Sequence, residues 1–199
     1  MTRLFLIRHA HHDYIGRAIA GWLPGVGLSA QGREQAAALP DRLSHCGITA
    51  LYSSPLERAV ETATPLAERW GLRTEIREGL REIDFGEWNG RSMAALEADP
   101  AWRQYVEHRS TSRAPGGELM LETQARMVAE LERIREAHPD AAIAVVSHCD
   151  VIRAAVLYYA GMPIDFYQRL EIRPASVSVL GFGENSPQIL RLNDTGDLA

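Results

Sequence analysis

Short apolar runs alternate with helical patterns along the chain, and this alternation predicts an α/β protein. Four apolar runs predict strands, at residues 3–8, 48–54, 72–77 and 141–147. The fourth run, "AAIAVVS", is continuously apolar, which is typical of a central parallel strand covered on both faces. The third, "LRTEIR", alternates apolar and polar residues, as a strand at the margin of a sheet does. Near the end, "SVSVLGF" and "QILRLN" flank the turn-rich "GENSP" and predict a hairpin.

Apolar residues at helical spacing predict four main helices between these strands, over residues 29–43, 54–70, 117–137 and 150–160. Ser29 is the predicted N-cap of the first helix. Ser54, Pro55 and Glu57 fit a capping box with proline at the first helical position, so the second helix is predicted to begin there. Strands alternating with helices predict a three-layer sandwich, in which helices flank a mostly parallel central sheet.

The chain carries neither an internal repeat nor a low-complexity linker, and its 199 residues suit one domain, which we expect to span 1–199. Residues 88–116 are predicted to be a variable insertion near the site described below. It should contain two short helices around Asp99-Pro100, followed by a flexible stretch, "STSRAPGG". Residues 193–199 are predicted to form a loose tail.

Charge and cysteine content limit the partners of the protein. The net charge is -5, which argues against a broad nucleic-acid or anionic-membrane surface, so an anion site has to be built from a few converging cations. Cys46 and Cys149 form neither a CxxC motif nor a disulfide framework, which fits a reducing compartment. The "LFLI" run before Arg8 is too short for a signal peptide, and no apolar run reaches membrane-spanning length. A cytoplasmic location is therefore expected.

Five polar residues fall at the predicted carboxyl ends of strands, where open α/β sheets build their sites. Arg8 and His9 follow the first strand, Arg58 lies in the first turn after the second, Glu82 follows the third, and His148 ends the fourth. Arginine forks and helix N-termini suit phosphate oxygens. A neutral imidazole among cations can attack phosphorus, so His9 or His148 is the candidate nucleophile, and the other would stabilise the phosphoryl oxygens. Glu82 would protonate the leaving oxygen and then take a proton from water.

Six motifs, in this order, resemble the histidine phosphatase superfamily, in its phosphoglycerate mutase-like branch, over nearly the whole chain: "LIRHA", "GLSAQGREQA", "SSPLERAVETA", "LREIDFGEWNG", "PGGE" and "VVSHCDVIR". The resemblance implies a phosphoglycerate mutase-like fold. It implies that His9 is the phosphorylated nucleophile and Glu82 the proton donor. It also implies that Arg8, Arg58 and His148 form the phosphate pocket with His9. Since arginine and histidine supply the positive charge, we expect no metal and no other cofactor.

The sequence departs from the family pattern at three positions. Ala10 replaces the usual glycine after the histidine, which is a small change. Cys149 replaces the glycine that usually follows the second histidine, and a packing role is favoured over a redox role. Ile15 occupies the position at which many mutases carry a phosphate-binding asparagine, and His12 or Asp13 could substitute for it. His11, His12 and Asp13 could also suggest a metal site. Adjacent loop residues rarely converge on one ion, however, so loop or substrate-edge roles are favoured.

The expected function is that of a metal-independent phosphatase, which hydrolyses small phosphomonoesters through a phosphohistidine on His9. One alternative is a cofactor-dependent phosphoglycerate mutase. Family mutases carry adjacent arginines in a longer insertion, whereas Arg103 is followed here by Gln104, which favours hydrolysis. A second alternative is a non-catalytic phospho-ligand or protein-binding module, but such a module typically lacks the nucleophile or the acid, and this chain retains both.

The substrate and the oligomeric state are left open by the sequence. Four arginines of the insertion could select an acidic group of the substrate or could simply be solvated: Arg91, Arg103, Arg109 and Arg113. Trp22 and Trp88 flank motif loops and are candidates for the wall of the pocket.

Overall fold

A computed structural model describes residues 1–184 and 186–196 of the protein. Within them, six strands occur in one sheet: β1 Thr2–Arg8, β2 Ile48–Ser53, β3 Thr74–Ile76, β4 Ala142–Ser147, β5 Val177–Phe182 and β6 Gln188–Asp194. The α-helices of the same residues are α1 Ala30–Arg42, α2 Glu57–Trp70, α3 Met93–Glu97, α4 Pro100–Glu107, α5 Met120–Ala137 and α6 Cys149–Tyr159. Short 3₁₀ helices cover Glu78–Leu80, Gly86–Trp88 and Ile164–Arg169.

The sheet is mostly parallel, as the sequence predicts. Its strand order is β3-β2-β4-β1-β5-β6. The first four strands in this order are parallel to one another, while β5 runs antiparallel to both β1 and β6. Strand β4 is therefore central and β3 lies at the margin. Because the carboxyl ends of β1, β2 and β4 meet at one edge of the sheet, the residues that follow them are brought together.

Helices cover both faces of the sheet, which confirms the predicted sandwich. Ala144 and Val146 of β4 pack in one hydrophobic cluster with residues of α1 and α2, such as Leu39. The alternate residues of the same strand, such as Val145, pack in a second cluster with α5 and α6. Since successive side chains of a strand point to opposite faces, this fully apolar strand is buried in both layers.

Residues of the insertion pack in a third hydrophobic cluster, together with residues from other parts of the chain. As predicted, α3 and α4 lie on either side of Asp99-Pro100. Trp88, Trp102 and Tyr105 pack there with residues of α6 and of the 3₁₀ helix Ile164–Arg169. In the stretch expected to be flexible, Ala114 is fully buried. No described helix is both long enough and apolar enough to cross a membrane.

Two boundaries differ from the sequence prediction. The capping box at Ser54 is wrong, because α2 begins only at Glu57, with Leu56 at the N-cap position and no side-chain cap. The hydroxyl of Ser54 is engaged in a contact with His148 instead. At the other end of the chain, β6 runs through Asp194, so it includes the first two residues of the predicted tail. Residues 197–199 of that tail lie outside the described residues. The organisation of residues 1–199 as one domain remains a prediction.

Candidate active site

Hydrogen bonds beyond the strand ends fix the backbone around the candidate site. The His9 N–H donates to the carbonyl of Ser147 over 2.8 Å, and the Ser54 N–H donates to that of Val146 over 3.0 Å. A cleft of about 350 Å³ opens here, and its walls include four of the five predicted site residues: Arg8, His9, Arg58 and Glu82. The fifth, His148, is fully buried, and its ring centroid lies 5.1 Å from that of His9.

His9 is held as a neutral ring with one free nitrogen. Its Nδ1 atom lies 2.8 Å from the carbonyl oxygen of Ala10, and a carbonyl only accepts, so we assign the ring proton to Nδ1. Burial lowers the pKa of His9 well below its usual value, and the charge of Arg58 and the neighbouring His148 lower it further. The lone pair on Nε2 is therefore available for attack.

His148 carries its proton on the opposite nitrogen. The amide of Leu56 donates to Ser54 Oγ over 3.3 Å. Nε2 of His148, 2.7 Å away, is the acceptor that the described residues offer the serine hydroxyl, so we assign the serine as the donor in this contact. The proton of the neutral ring then lies on Nδ1, which is buried and has no hydrogen-bond partner among the described residues. Burial, followed by the charges of Arg58 and Arg8, lowers the pKa of His148 well below its usual value. His148 is thus a neutral N–H donor.

Two arginines add further buried donors. Arg8 Nη1 donates to the carbonyl of Ile172 over 2.6 Å, and Arg58 Nη2 donates to that of Gly21 over 2.8 Å. The remaining buried atoms without partners include Arg8 Nε and both Nε and Nη1 of Arg58. Burial lowers the pKa of Arg58 to about 10, so its guanidinium remains charged near neutral pH. Buried N–H groups without partners are rare and costly, so this group of donors has the chemistry to bind an oxyanion.

Glu82 differs from the neighbouring glutamates in its burial. Its exposed fraction is 7%, whereas Glu75, Glu78 and Glu87 are exposed. Burial raises the pKa of Glu82 to about 7; the charge of Asp150 also raises it, while that of Arg58 opposes the shift. A carboxyl group with a pKa near 7 can both give and take a proton at neutral pH.

The loop that carries Glu82 is clamped by residues distant in sequence. Arg126 of α5 donates to the carbonyls of Gly79, Arg81 and Glu82 over 3.0, 2.9 and 3.2 Å. The indole N–H of Trp22 donates to the same Glu82 carbonyl over 2.7 Å. The pattern of the chain gave Arg126 no role, because on a helix it is an ordinary polar position. Trp22 acts here as a donor, and neither it nor Trp88 occurs among the described residues that line the cleft.

Glycines allow the "FGEW" and "PGGE" segments to pack against each other. Gly86 has a φ of +51°, and a Cβ atom there would lie 2.1 Å from the carbonyl oxygen of Pro115. A Cβ atom at Gly117 would lie 2.2 Å from that of Asp84. The carboxylate of Glu118 accepts the Asp84 N–H over 2.8 Å. The "PGGE" motif therefore supports the loop that follows Glu82.

The three polar residues after His9 have separate roles. His11 Nδ1 lies 2.8 Å from the hydroxyl of Ser29. Asp13 is exposed. His12 is buried with its ring centroid 5.0 Å from that of His9, and its Nδ1 accepts the Tyr14 N–H over 3.3 Å, which leaves the ring proton on Nε2. Burial, with the charges of Arg58 and Arg8, lowers the pKa of His12 to about 3. His12 is thus another neutral donor at the cleft.

Across residues 1–184 and 186–196, no three His, Cys, Asp or Glu side chains are grouped as ligands for one metal ion. Cys149 lines the cleft, and burial raises the pKa of its thiol to about 11.

The arginines of the insertion do not form the described wall of the cleft, although Arg109 lies 3.7 Å from Asp150, which does. Arg91 pairs with Asp99 at 2.9 Å, and Arg113 pairs with Glu122. Arg103 is exposed, and Arg109 is buried. None of these four is among the described residues that line the cleft. Arg153 of α6 does line it, together with Arg8 and Arg58.

A model of the histidine phosphatase superfamily (branch 1) matches residues 4–195. The chain belongs to this superfamily. The match includes the strand ends, the loop of Glu82 and the "PGGE" segment described above.

Relatives in this superfamily carry both phosphatase and mutase names. The chain is 32% identical to phosphoserine phosphatase 1 of Hydrogenobacter thermophilus over 199 residues, which covers 98% of this chain and 93% of the relative. It is 31% identical to a probable phosphoglycerate mutase, GpmB, of Salmonella paratyphi B, with 93% and 87% covered. Its fold is similar to that of mycobacterial glucosyl-3-phosphoglycerate phosphatase in complex with VO3, with a TM-score of 0.87, 30% identity, and 96% and 98% of the two chains covered.

Proposed function

We propose that the protein is a phosphatase that hydrolyses small phosphomonoesters through a phosphohistidine on Nε2 of His9. Buried N–H donors without partners carry this proposal. Arg8, Arg58 and His148 supply four such atoms around the ring of His9, and an oxyanion is what would satisfy them. Membership of the histidine phosphatase superfamily and phosphatase-named relatives support the same reaction.

In the first step, Nε2 of His9 attacks phosphorus and the bond from phosphorus to the leaving oxygen breaks. The neutral state of His9 and its bonded Nδ1–H leave Nε2 as the nucleophile. Arg8, Arg58 and His148 donate to the equatorial oxygens, on which charge accumulates in the transition state. His12 Nε2–H supplies a further neutral donor, in place of the asparagine that Ile15 replaces. Protonated Glu82 gives its proton to the leaving alcohol.

In the second step, water attacks the phosphohistidine. Glu82, now a carboxylate, takes a proton from this water as its oxygen bonds to phosphorus, and the bond from phosphorus to Nε2 breaks. Inorganic phosphate leaves, and both His9 and Glu82 return to their starting protonation states. The pKa of about 7 for Glu82 suits both halves of this cycle.

The residues at the positions where mutases bind their substrate favour hydrolysis over the mutase reaction. A mutase has to hold its product for the return transfer, and this requires charged clamps. Gln104 and Arg103 are exposed on α4, and neither lines the cleft in the described part of the chain. Ile15 does line it and has no polar group. A non-catalytic binding module is disfavoured, because His9 and Glu82 are both present at the cleft.

Phosphate release from a panel of phosphomonoesters, measured in EDTA, tests the proposal. We expect steady release of inorganic phosphate and little interconversion of 2- and 3-phosphoglycerate, even with 2,3-bisphosphoglycerate present. Interconversion that outpaces release by orders of magnitude would assign the mutase reaction instead. Loss of activity in EDTA that a divalent ion restores would contradict metal independence. The cytoplasmic location suggested by Cys46 and Cys149 stays a prediction, tested by fractionation of cells.

A further inference from the structure

The cleft holds one more cation, apart from the phosphate pocket. Arg153 lines it together with Cys149 and Asp150. Residues three and four apart share one face of a helix, so these three side chains form a single strip of α6 along the cleft. Arg153 follows His148 by five residues, which places it about 7.5 Å further along the helix axis. Arg153 is not one of the donors assigned above to the phosphoryl group, so it is the candidate cation of the cleft for the leaving group.

Arg153 has no direct counter-ion among the residues that the structure describes. No carboxylate of residues 1–184 and 186–196 pairs with it within 4.0 Å, and its Nε atom is buried without a hydrogen-bond partner. The guanidinium lies 4.8 Å from the ring centroid of Tyr167. This cation–π contact holds the side chain in place. Against the effect of burial, Tyr167 and the charge of Asp150 raise the pKa of Arg153, so its guanidinium stays charged. Arg153 is thus a positioned cation with hydrogen-bonding capacity to spare.

Asp150 is the acidic residue on the same strip of α6, and its carboxylate forms an ion pair with Arg109. Its Oδ2 atom lies 3.7 Å from Nη1 of Arg109. Arg109 is buried, with its guanidinium 4.3 Å from the ring centroids of both Tyr105 and Tyr167. A buried guanidinium needs a nearby negative charge, and Asp150 is the one it pairs with. One carboxylate and two guanidinium groups leave one net positive charge at this end of the cleft.

Apart from its charged residues, its histidines and Cys149, the described wall of the cleft is apolar. Its described residues are largely aliphatic, aromatic or glycine: Ile15, Gly16, Ala18, Ile19, Ala20, Gly21, Phe85 and Met93. Such a wall offers few side-chain partners for the hydroxyl groups of a sugar. A short carbon chain with an anion at each end fits this distribution of charge.

We propose that Arg153 determines specificity by binding a carboxylate on the leaving group, so that the substrates are phosphomonoesters of short hydroxy acids. This assignment rests on the proposed phosphatase function. The planar fork of arginine matches a carboxylate with two parallel hydrogen bonds. One net positive charge balances a carboxylate, whereas a second phosphate would bring a charge of nearly two. A single cation can orient the substrate for hydrolysis. Retention of the product, as in a mutase, requires further charged side chains.

Two substrate pairs that differ in the carboxylate test the assignment. They are 3-phosphoglycerate against glycerol 1-phosphate, and phosphoserine against phosphoethanolamine. The wild-type protein should have the higher kcat/KM for the carboxylate member of each pair. Arg153→Gln should reduce this preference by about 10- to 100-fold, mainly through KM, since one charge-assisted interaction is lost. Arg153→Lys should keep part of it. Arg103→Gln, which alters an exposed arginine of the insertion, is the matched control and should leave it unchanged.

The outcomes separate the assignment from the proposed function. If Arg153→Gln slows both members of a pair equally, or if Arg103→Gln removes the preference instead, the role of Arg153 is wrong while the phosphatase stands. Hydrolysis of para-nitrophenyl phosphate, which has no carboxylate, measures the phosphatase reaction alone. If no substrate, including this one, releases phosphate, the proposed function itself is contradicted.

Discussion

The hydroxyl of Ser54 lies 2.7 Å from Nε2 of His148, and this contact decides which ring nitrogen carries the proton. Because Nε2 accepts from the serine, Nδ1 is the donor left for a phosphoryl oxygen. The contact joins the end of β2 to the end of β4, so the parallel pairing of these strands sets it. The Ser54 hydroxyl thus stabilises the neutral tautomer of His148 in which Nδ1–H is the donor.

Ser54→Ala should lower kcat/KM about tenfold. The His148 tautomer with its proton on Nδ1 would lose the serine hydroxyl that donates to its Nε2. Steady-state kinetics with glycerol 1-phosphate and para-nitrophenyl phosphate should show the loss on both, since phosphoryl stabilisation serves both. Ser53→Ala removes a neighbouring buried hydroxyl that contacts a carbonyl and not His148, and serves as the control. Equal loss in the two variants would remove the special role of Ser54.

Glu82→Gln should slow alkyl phosphates about 10²- to 10⁴-fold and para-nitrophenyl phosphate much less, because only the poor leaving group needs a proton as it departs. The initial burst and the steady rate should be measured separately, since Glu82 also serves the attack of water. Glu87→Gln, at an exposed glutamate five residues further on, is the control. Similar losses in the bond-breaking step for both leaving groups would exclude Glu82 as the acid.

Asp150→Asn should move the alkaline limb of kcat/KM to lower pH. Glu82 acts in its protonated form, so activity falls as pH rises through its pKa of about 7. The charge of Asp150 is one cause that raises this pKa, and removing it lowers the pKa. The pH profile with an alkyl phosphate measures the shift. Asp140→Asn alters an aspartate that precedes β4 and is not among the described residues that line the cleft, so it should leave the alkaline limb in place. If the alkaline limb of Asp150→Asn stays in place or moves to higher pH, Asp150 does not raise the pKa of Glu82.

Arg126→Met should lower kcat for alkyl phosphates with little change in KM, because Arg126 holds the backbone that carries Glu82. When Arg126→Met is added to Glu82→Gln, kcat should fall little further. Both changes impair the same proton transfer, so their effects should not add. Arg133→Met alters a more exposed arginine of the same helix and is the control. Full additivity of the two losses would show that Arg126 acts independently of the acid.

The strands, the main helices and the edge that holds the site could be predicted, because periodicity and strand ends are local properties of the sequence. Glu82 could not be separated from Glu75, Glu78 and Glu87 by local pattern, since burial is what distinguishes it. The family motif supplied that choice. Its support by Arg126 was missed, because this contact joins residues 44 positions apart. The capping box at Ser54 failed for a related reason: a tertiary partner, His148, took the hydroxyl.

Trapping the covalent intermediate tests the central claim most directly. The protein is mixed with para-nitrophenyl phosphate, quenched in alkali within the first turnovers, and examined by mass spectrometry under conditions that preserve phosphohistidine. We predict one phosphoryl group, stable to alkali and labile to acid, located on His9 and absent from His9→Ala, which should not turn over. A label on another residue, or turnover by His9→Ala at the wild-type rate, would contradict the assignment of His9 as the nucleophile.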